Sequence, residues 1–380
     1  MTKLPSRTSE TAEAVRSFIP VYEPSIGSLE KEYVNDCLDT SWISSIGKYV
    51  ERFESEIAAI TNSKYAVAVT NGTVALHLAH HCLGLQPGDE IIVPTFTYVA
   101  SVNTIAQTGA KPVFVECRNS DWLLDPDDVR AKITPRTKGI VPVHLYGAVC
   151  AMSEIMAIAK EHELYVVEDC AESLGSTIDG KPAGSFGHCA TFSFFGNKTI
   201  TTGEGGMVTT NDDELAEHLR LSKGQGQDPN RRYWHDRVGF NYRLTNIAAA
   251  IGCAQLVRLS DILVRKAEIA ALYRKLLSNQ PVEFQKIAAN VVSSNWMFSL
   301  LLPEGADREV IMATMKDRGV DTRPVFHCSH TMPMYFDRDA PSFPVSEKIS
   351  ARGINLPSYP TMTDEMVARV CETLIDAIHR

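Results

Sequence analysis

A single lysine stands between an aromatic run and a glycine-rich turn in the segment FSFFGNKTITTGEGGMV, residues 192–208. Lys198 carries a primary amine, which can form an imine with a carbonyl compound and can act as a general acid or base. Ser193 precedes it by five residues, and the turn at 203–206 follows it. One lysine proves no function, so its meaning depends on the residues that the fold brings beside it.

The turn Asn71-Gly72-Thr73 follows the apolar run YAVAVT (65–70) and precedes a helical pattern. Backbone N–H groups at the start of a helix, with a glycine that permits close approach and a threonine hydroxyl beside it, can bind a phosphate group. The same turn is also an ordinary connection between a strand and a helix. Both interpretations stay open on this motif alone.

Aromatic and acidic residues follow two further apolar runs. Tyr98 follows EIIVP (90–94), where its ring could stack on a planar ligand or pack in the core. Asp169 follows LYVVE (164–168), and Glu172 lies one helical turn further on. The carboxylate of Asp169 can accept a hydrogen bond from a protonated ring nitrogen, and the alternative is a helix N-cap.

Each of these positions follows a predicted strand. Seven short apolar runs alternate with helical patterns between residues 65 and 210, and most are continuous, as in strands buried on both faces. They are YAVAVT, EIIVP, PVFVE, GIVPVH, LYVVE, ATFSF and GMVTT. The pattern predicts an α/β fold with a large, mostly parallel seven-stranded sheet. Ligands of such sheets bind beyond the carboxyl ends of the strands, so these residues are expected to meet in one crevice.

The alternation of strands and helices ends near residue 212 and restarts after Pro281. A helix-rich section lies between, in which 248–277 predicts one or two long helices. The later pattern runs from the strand SSNWMFSLLLP to the closing helix DEMVARVCETLIDAIHR. The sequence therefore predicts a polar lead-in over 1–25, a large domain over 26–265 and a smaller C-terminal α/β domain over 266–380.

Composition narrows the class of protein. The 380 residues carry a formal net charge of −9 and no lysine- or arginine-rich block, which argues against binding to nucleic acid or to an anionic membrane. Nine scattered cysteines include no C-x-x-C pair and predict neither a disulfide framework nor a zinc site. The first residues lack the apolar core of a secretory signal, and no later run approaches a membrane span in length. We expect a cytoplasmic protein that handles small molecules.

Together, the strand ends supply a phosphate cradle, a ring for stacking, an acidic partner and a primary amine. Pyridoxal phosphate requires this set of groups. It is held by its phosphate, its ring nitrogen is kept protonated by a carboxylate, and its aldehyde binds a lysine. The residues therefore predict this cofactor, with Lys198 as its attachment point.

The chain also resembles the DegT/DnrJ/EryC1/StrS family of sugar aminotransferases, which have the aspartate aminotransferase fold (fold type I). The motifs that carry the resemblance are TNGTVALHLA, VPTFTYVAS, PVHLYG, VVEDCAESLG, FSFFGNKTITTGEGGMV, GFNYRLTNIAAAIG and RPVFH. With DTSWISSIGKYVERFE (39–54), they cover nearly the whole chain. The resemblance implies a transaminase that depends on pyridoxal phosphate. A branch of the family has histidine in place of the lysine and performs deoxygenation, so Lys198 favours amino transfer.

The resemblance implies a role for each matching residue. Lys198 would bind the cofactor, and Asp169 would pair with its ring nitrogen. The other implied cofactor contacts are Gly72, Thr73 and Ser193 at the phosphate, Tyr98 at the ring face, Glu172 at the ring hydroxyl, and Asn241 at the phosphate of the neighbouring subunit. An asparagine from a neighbour implies a homodimer with shared active sites.

Within the family, FSFFGNKTITTGEGGM, GQGQDPNRRYW and RPVFH resemble most closely the members that convert GDP-4-keto-6-deoxymannose to its 4-amino sugar, with L-glutamate as amino donor. Such products serve surface polysaccharides such as the lipopolysaccharide O-antigen. The resemblance implies substrate contacts at Arg231 or Arg232 and at His330. The alternatives are a basic surface loop and a histidine that caps local structure. Another carbonyl sugar, such as an oxidised octulosonic acid of lipopolysaccharide, is an alternative acceptor.

Three other functions have features that the sequence can test. A nicotinamide-dependent oxidoreductase would need G-x-G-x-x-G directly after an early strand, which the chain lacks. A binding or regulatory relative without catalysis conflicts with intact Lys198, Asp169 and Ser193. His77 and His81 stand four residues apart on one predicted helix, but no third ligand lies near them in sequence, so no metal site is expected.

Overall fold

The computed structural model describes residues 18–339 and 341–379, so most of the predicted lead-in lies outside the described residues. The helices are α1 Ser28–Asp39, α2 Lys48–Ile60, α3 Gly72–Cys82, α4 Ala100–Gln107, α5 Pro126–Lys132, α6 Met152–Glu161, α7 Asp213–Lys223, α8 Asn246–Val257, α9 Leu259–Leu276, α10 Arg308–Asp317, α11 Pro344–Arg352 and α12 Asp364–Ile378. The strands are β1 Tyr65–Val69, β2 Glu90–Pro94, β3 Lys111–Val115, β4 Thr137–Ile140, β5 Tyr165–Asp169, β6 Thr177–Ile178, β7 Lys181–Pro182, β8 Cys189–Ser193, β9 Gly206–Thr210, β10 Glu283–Phe284, β11 Val291–Val292, β12 Phe298–Leu301, β13 Arg323–Pro324 and β14 Gly353–Leu356.

The largest sheet has seven strands in the order β1-β9-β8-β5-β4-β2-β3. Neighbouring strands are parallel, except that β9 runs antiparallel to both β1 and β8. The carboxyl ends of six strands and the start of β9 therefore meet at one edge. The predicted mostly parallel, seven-stranded sheet is confirmed.

The sheet is buried because its strands are apolar on both faces. Every residue of β2 and of β9 is buried, as expected where helices cover a sheet on both sides. At the carboxyl end of β1, Asn71 Oδ1 accepts a hydrogen bond from the N–H of Val74 at 2.9 Å. This cap fixes the point at which α3 begins, directly beyond the edge of the sheet.

The strand predicted over 139–144 is shorter in the structure, because β4 ends at Ile140. Pro142 has no N–H to continue a ladder. Its carbonyl instead accepts from the N–H of Asp169 at 2.9 Å, and the N–H of His144 donates to the carbonyl of Asp169 at 3.1 Å. Residues 142–144 thus stay hydrogen-bonded to the end of β5 although they are no longer part of β4.

A second sheet of four antiparallel strands lies in the C-terminal part of the chain, in the order β10-β12-β14-β13. With α10 and α12 it encloses a second hydrophobic core that includes Leu300, Met315 and Leu374. The strand and the closing helix predicted for this part are confirmed as β12 and α12. The predicted domain boundary at 265/266 lies inside α9, and the division into domains stays a prediction.

The predicted helix-rich section contains α7, α8 and α9, with a long loop at 224–245 between the first two. The helical pattern over 248–277 corresponds to two helices, α8 and α9, which meet at an angle of 63°. Across residues 18–339 and 341–379, no single helix is long and apolar enough to cross a membrane. These two pass that test only as a bent pair.

Candidate active site

A cavity of about 660 Å³ lies at the edge of the large sheet where the parallel strands end. This volume is within the range of about 300–1,000 Å³ that is usual for small-molecule sites. Residues after β1, β2, β5 and β8 form one side, and β13, β14 and the segment before β12 form the other. The predicted residues that line it are Gly72, Thr73, Tyr98, Asp169, Glu172, Ser193 and Lys198.

Lys198 lies in the connection between β8 and β9. Its Nζ is 3.7 Å from Oε1 of Glu172 and 4.0 Å from the centre of the Trp296 ring. Burial is the largest influence on Lys198 and lowers its pKa, while the carboxylates of Glu172 and Asp169 oppose that change. A lysine with a lowered pKa presents more neutral amine near neutral pH, and the neutral amine is the form that attacks a carbonyl carbon.

Glu172 is buried beside that lysine. Its Oε2 accepts a hydrogen bond from the backbone N–H of Tyr146 at 2.8 Å. Burial raises the pKa of Glu172 to about 7, although the Lys198 ammonium acts in the opposite direction. Tyr146 has a φ of 58°, a left-handed conformation that is uncommon for a bulky residue. The turn thus presents a backbone donor to a carboxyl group that can exchange its proton near neutral pH.

Asp169 ends β5 and is only 4% exposed. Its Oδ2 accepts from the hydroxyl of Ser101 at 2.7 Å, and its Oδ1 accepts from the N–H of Ala171 at 3.1 Å. Among the described residues, no basic side chain forms an ion pair with it. A buried carboxylate that forms no ion pair is costly, so the side of Asp169 that faces the cavity suits a positively charged group.

The start of α3 packs closely against the end of β8. A Cβ atom on Gly72 would lie 2.7 Å from Cβ of Ser193, so only glycine fits there without movement of its neighbour. The first N–H groups of a helix have no acceptor within the helix. The exposed Thr73 and the half-buried Ser193 place hydroxyl groups on the same part of the cavity wall. This corner has the donors that an anion needs.

Aromatic rings form one wall of the cavity. Tyr98 is 57% exposed, and its ring centre lies 5.7 Å from that of Phe326. Phe326 stacks on Tyr146 at 5.6 Å, and Tyr146 stacks on Trp296 at 6.2 Å with an interplanar angle of 5°. The row joins Tyr98 to the ring that lies beside Lys198.

His330 does not line this cavity. Its Nδ1 lies 2.6 Å from the hydroxyl oxygen of Thr95, and its Nε2 lies 3.2 Å from Oε1 of Glu347. Both ring nitrogens therefore have local partners. This geometry suits the alternative interpretation, a histidine that holds local structure, and the sugar contact stays a prediction.

Arg231, Arg232 and Asn241 also lie outside the cavity of this chain, on the loop at 224–245. The two guanidinium groups lie against the neighbouring rings of Trp234 and Tyr233, 3.8 and 4.9 Å from the ring centres. Asn241 is exposed, and its side-chain oxygen accepts from the guanidinium of Arg243. Their implied roles stay predictions, since within one chain none of the three meets the residues around Lys198.

His77 and His81 lie one turn apart on α3, with ring centres separated by 6.4 Å. Each packs edge to face on Phe240, and the Tyr242 hydroxyl lies 3.2 Å from Nδ1 of His77. Burial lowers the pKa of both histidines. The contacts given for these two histidines are aromatic and local.

Glu168 precedes Asp169 on β5, and its side chain points to the opposite face of the sheet. Its two oxygens accept from the N–H groups of Gly184, Phe186 and Gly187 at 2.7–2.9 Å, and His144 Nε2 lies 3.1 Å away. With four partners, the carboxylate of Glu168 has its hydrogen-bonding capacity filled within the protein. The next residue on the same strand, Asp169, instead presents its carboxylate to the cavity.

Four residues at the site were not predicted from the sequence: Ser101, Tyr146, Trp296 and Arg323. Ser101 and Tyr146 belong to the motifs VPTFTYVAS and PVHLYG, but nothing local indicates that they contact Asp169 and Glu172. Trp296 lies in a segment whose apolar pattern indicates a strand. Only the packing of the C-terminal part against the large sheet brings it to Lys198.

Comparisons with known proteins agree with this geometry. The pattern of the DegT/DnrJ/EryC1/StrS aminotransferase family matches residues 24–375. GDP-perosamine synthase of Escherichia coli O157:H7 is 50% identical and that of Vibrio cholerae 46% identical, each over 94% of this chain and 98% of the relative. An aminotransferase of Helicobacter pylori involved in pseudoaminic acid biosynthesis has a similar structure, with a TM-score of 0.91, 25% identity, and coverage of 95% of this chain and 99% of that one. The chain belongs to the DegT/DnrJ/EryC1/StrS aminotransferase family and is a transaminase that depends on pyridoxal phosphate.

Proposed function

We propose that this transaminase moves an amino group from L-glutamate to GDP-4-keto-6-deoxy-D-mannose and so makes GDP-perosamine for a surface polysaccharide. The observation that carries the proposal is the identity of 45–50% with three proteins named GDP-perosamine synthase, each over 94% of this chain. None of these three names refers to an octulosonic acid. They favour the nucleotide-linked sugar over that alternative acceptor.

The cavity fits pyridoxal phosphate. The start of α3, with Gly72, Thr73 and Ser193, would hold the phosphate, since these three residues line one part of the cavity and the first N–H groups of a helix are free to bind an anion. Asp169, which forms no ion pair among the described residues, would hold a proton on the ring nitrogen. Tyr98 would contact the ring face, and Glu172 the ring hydroxyl. When bound, the cofactor supplies an electron sink for the carbon that bears the amino group.

The chain supplies the proton chemistry. Among the described residues that line the cavity, Lys198 alone carries a primary amine, and it would bind the cofactor aldehyde until the donor's amine replaces it. Once released, its amine would take the proton from the donor α-carbon and later return a proton to the sugar carbon. The buried carboxyl of Glu172, with a pKa of about 7, lies beside Nζ and tunes the charge of that amine.

The donor also needs a partner for its carboxylates. Arg323 lines the cavity from β13, and among the described residues it forms no ion pair. A guanidinium can bind a carboxylate through two parallel hydrogen bonds. Arg323 therefore would bind a carboxylate of L-glutamate and orient its amine toward the site of Lys198.

A homodimer with shared sites is part of the proposal. Large apolar side chains are exposed in two segments, 38–46 and 233–238, among them Trp42 and Val238. The second segment belongs to the loop that carries Asn241 and the arginines Arg231 and Arg232. Contact with a second copy would bury the apolar residues and bring Asn241 to the partner's phosphate corner.

The proposal also places this protein in the cytoplasm. All nine cysteines are free thiols, and eight of them are buried. Unpaired cysteines are typical of a reducing compartment.

The visible spectrum of the cofactor-loaded protein tests the function. We expect L-glutamate to bleach the visible band and release 2-oxoglutarate, and GDP-4-keto-6-deoxymannose to restore it while GDP-perosamine is formed and identified by mass spectrometry. Lys198→Ala, with cofactor added, is the matched control and should show neither change. If only a sugar without a nucleotide restored the visible band, the proposed acceptor would be wrong, while the assignment as a transaminase would stand.

A further inference from the structure

The two peptide groups that flank Lys198 are each held by an aromatic side chain. Trp296 Nε1 donates to the carbonyl of Asn197 at 2.6 Å, and the Tyr22 hydroxyl donates to the carbonyl of Lys198 at 2.6 Å. The Trp296 ring also faces Nζ of Lys198 at 4.0 Å. Tyr22 lies near the start of the described residues and Trp296 in the C-terminal part, and together they fix the main chain from which the Lys198 side chain extends.

A single buried lysine contacts both aromatic residues. Lys266, on α9, is 1% exposed, and its Nζ donates to the carbonyls of Trp296 at 3.0 Å and Ser358 at 2.7 Å. The same Nζ lies 5.6 Å from the centre of the Tyr22 ring, within reach of a cation–π interaction.

The burial of Lys266 is not explained by an ion pair. Burial alone lowers its pKa to about 7, and among the described residues no carboxylate pairs with it. Burying a lysine head group without a carboxylate partner is expensive, since its charge loses contact with water. A methionine or leucine would fill this place on α9 without that cost, so the amine must supply something that an apolar side chain lacks.

We propose that Lys266 is a positioning residue for Lys198, which acts by holding Trp296 and Tyr22 against the two peptide groups around it. The inference rests on the proposed role of Lys198 but does not depend on the identity of the sugar. Lys266 itself does not touch the cavity. Its contribution is to keep the Lys198 main chain, and hence Nζ, in the buried place beside Glu172.

The test measures Lys198 directly, in the full-length protein freed of cofactor. Trace labelling with acetic anhydride across a pH series, with mass spectrometry of the peptide that contains Lys198, gives the midpoint at which its amine loses its proton. We expect Lys266→Met to raise that midpoint, because a loosened main chain lets water reach Nζ and burial lowers the pKa of Lys198 less. Only the neutral amine reacts with acetic anhydride. At a pH below the midpoints of both proteins, a rise of half a pKa unit in the variant therefore slows labelling of Lys198 about threefold.

Conservative and matched variants separate positioning from general stability. Lys266→Arg keeps a cationic donor and should return the midpoint toward that of the unmodified protein. Tyr273→Phe is the control, since Tyr273 is buried on the same helix and its hydroxyl donates to the carbonyl of Pro357 at 2.7 Å and to neither Trp296 nor Tyr22. It should lower the Tm and leave the Lys198 midpoint unchanged.

The route through the aromatic residues is tested by combining variants. In a Tyr22→Phe/Trp296→Phe background, Lys266→Met should shift the midpoint little further, because coupled residues are not additive. An equal shift in both backgrounds, or a lower Tm with an unmoved midpoint in Lys266→Met, would overturn the proposal. If no Lys266 variant folds, Tyr22→Phe and Trp296→Phe decide: a raised midpoint in both supports the proposal, and an unmoved midpoint in one or both overturns it. Because no sugar is used, an incorrect acceptor would leave these results unchanged.

Discussion

Oε1 of Glu172 lies 3.7 Å from Nζ of Lys198, in a place where both side chains are buried. Burial raises the pKa of Glu172 from 4.5 to about 7. Between these two values the folded protein keeps a proton that the unfolded chain has released. Stability that depends on this group is therefore full below the unfolded pKa and is lost as the pH rises through the folded pKa.

Glu172→Gln should remove that pH dependence. In the protein freed of cofactor, we expect the free energy of unfolding of the variant, relative to the unmodified protein, to rise by about 2 kcal/mol between pH 5 and pH 8. The amide oxygen of glutamine can still accept from the N–H of Tyr146, so the turn is preserved. Denaturant unfolding at several pH values measures the difference, and two parallel curves would contradict the expected burial of a titrating carboxyl.

Asp169→Ala should lower turnover far more than cofactor occupancy. The carboxylate would stabilise charge on the ring nitrogen during the reaction, whereas binding relies mainly on the phosphate corner and Lys198. We expect kcat to fall about 100-fold or more, in line with the loss of a preorganised electrostatic partner. Ser101→Ala, which removes one donor to Asp169 but keeps the carboxylate, should have a smaller effect. Retained turnover in Asp169→Ala would argue against the assignment.

Gly72→Ala should weaken the phosphate corner. Its Cβ would lie 2.7 Å from Cβ of Ser193, so the start of α3 or the end of β8 must move. We expect a loss of about 1–3 kcal/mol in stability and a raised Kd for pyridoxal phosphate. Gly196→Ala is the control, because a Cβ there meets no atom within 4 Å. Equal behaviour of the two variants in thermal unfolding and cofactor titration would show that close packing at Gly72 is unimportant.

Arg323→Ala should raise the KM for L-glutamate about tenfold with little change in kcat, since the loss of a binding contact affects ground and transition states alike. The KM for the sugar nucleotide should stay the same. Steady-state kinetics with each substrate varied in turn makes the comparison. A rise confined to the sugar nucleotide would place Arg323 on the acceptor instead.

Mixed dimers test the shared site. Lys198→Ala and Asn241→Asp should each be nearly inactive alone, the second because its carboxylate repels the phosphate. After subunit exchange, one site of each mixed dimer has an intact Lys198 and an intact Asn241 from the other chain. We expect activity to return to about one quarter of the unmodified level. Activity no higher than the mean of the two parents would contradict a site that crosses the interface.

The predictable part of the site consists of residues that directly follow strands. The carboxyl ends of parallel strands meet at one edge, so an apolar run followed by Gly72, Asp169 or Lys198 already indicates which side chains converge. The same reasoning applied to the strand at 139–144 was less accurate, because Pro142 ends the ladder. The sequence thus predicts the correct edge of the sheet for the site but the wrong bounds for β4.

The unpredicted part depends on contacts between distant segments. Trp296 reaches Lys198 only because the C-terminal part packs on the large sheet, and apolar patterning does not show which aromatic residue of a strand segment faces a cavity. Tyr146 donates to Glu172 from a left-handed turn that tyrosine seldom adopts. His330 is a case in which resemblance and geometry differ. The resemblance implies a substrate contact for it, whereas in the structure both of its ring nitrogens have local partners.

The neighbouring carboxylates of β5 also bear on how this protein folds. Glu168 is engaged by four donors on one face, and Asp169 faces the ligand cavity on the other. A slip of one residue in the pairing of β5 would exchange the two faces. It would turn Glu168 toward the cavity and leave Asp169, shorter by one methylene, to meet the N–H groups around Gly184 and Gly187. The N–H groups of the loop at 184–187 therefore favour the correct register of β5. A chain that pairs β5 out of register loses the hydrogen bonds of Glu168 and, at the same time, the carboxylate of Asp169 from the cavity.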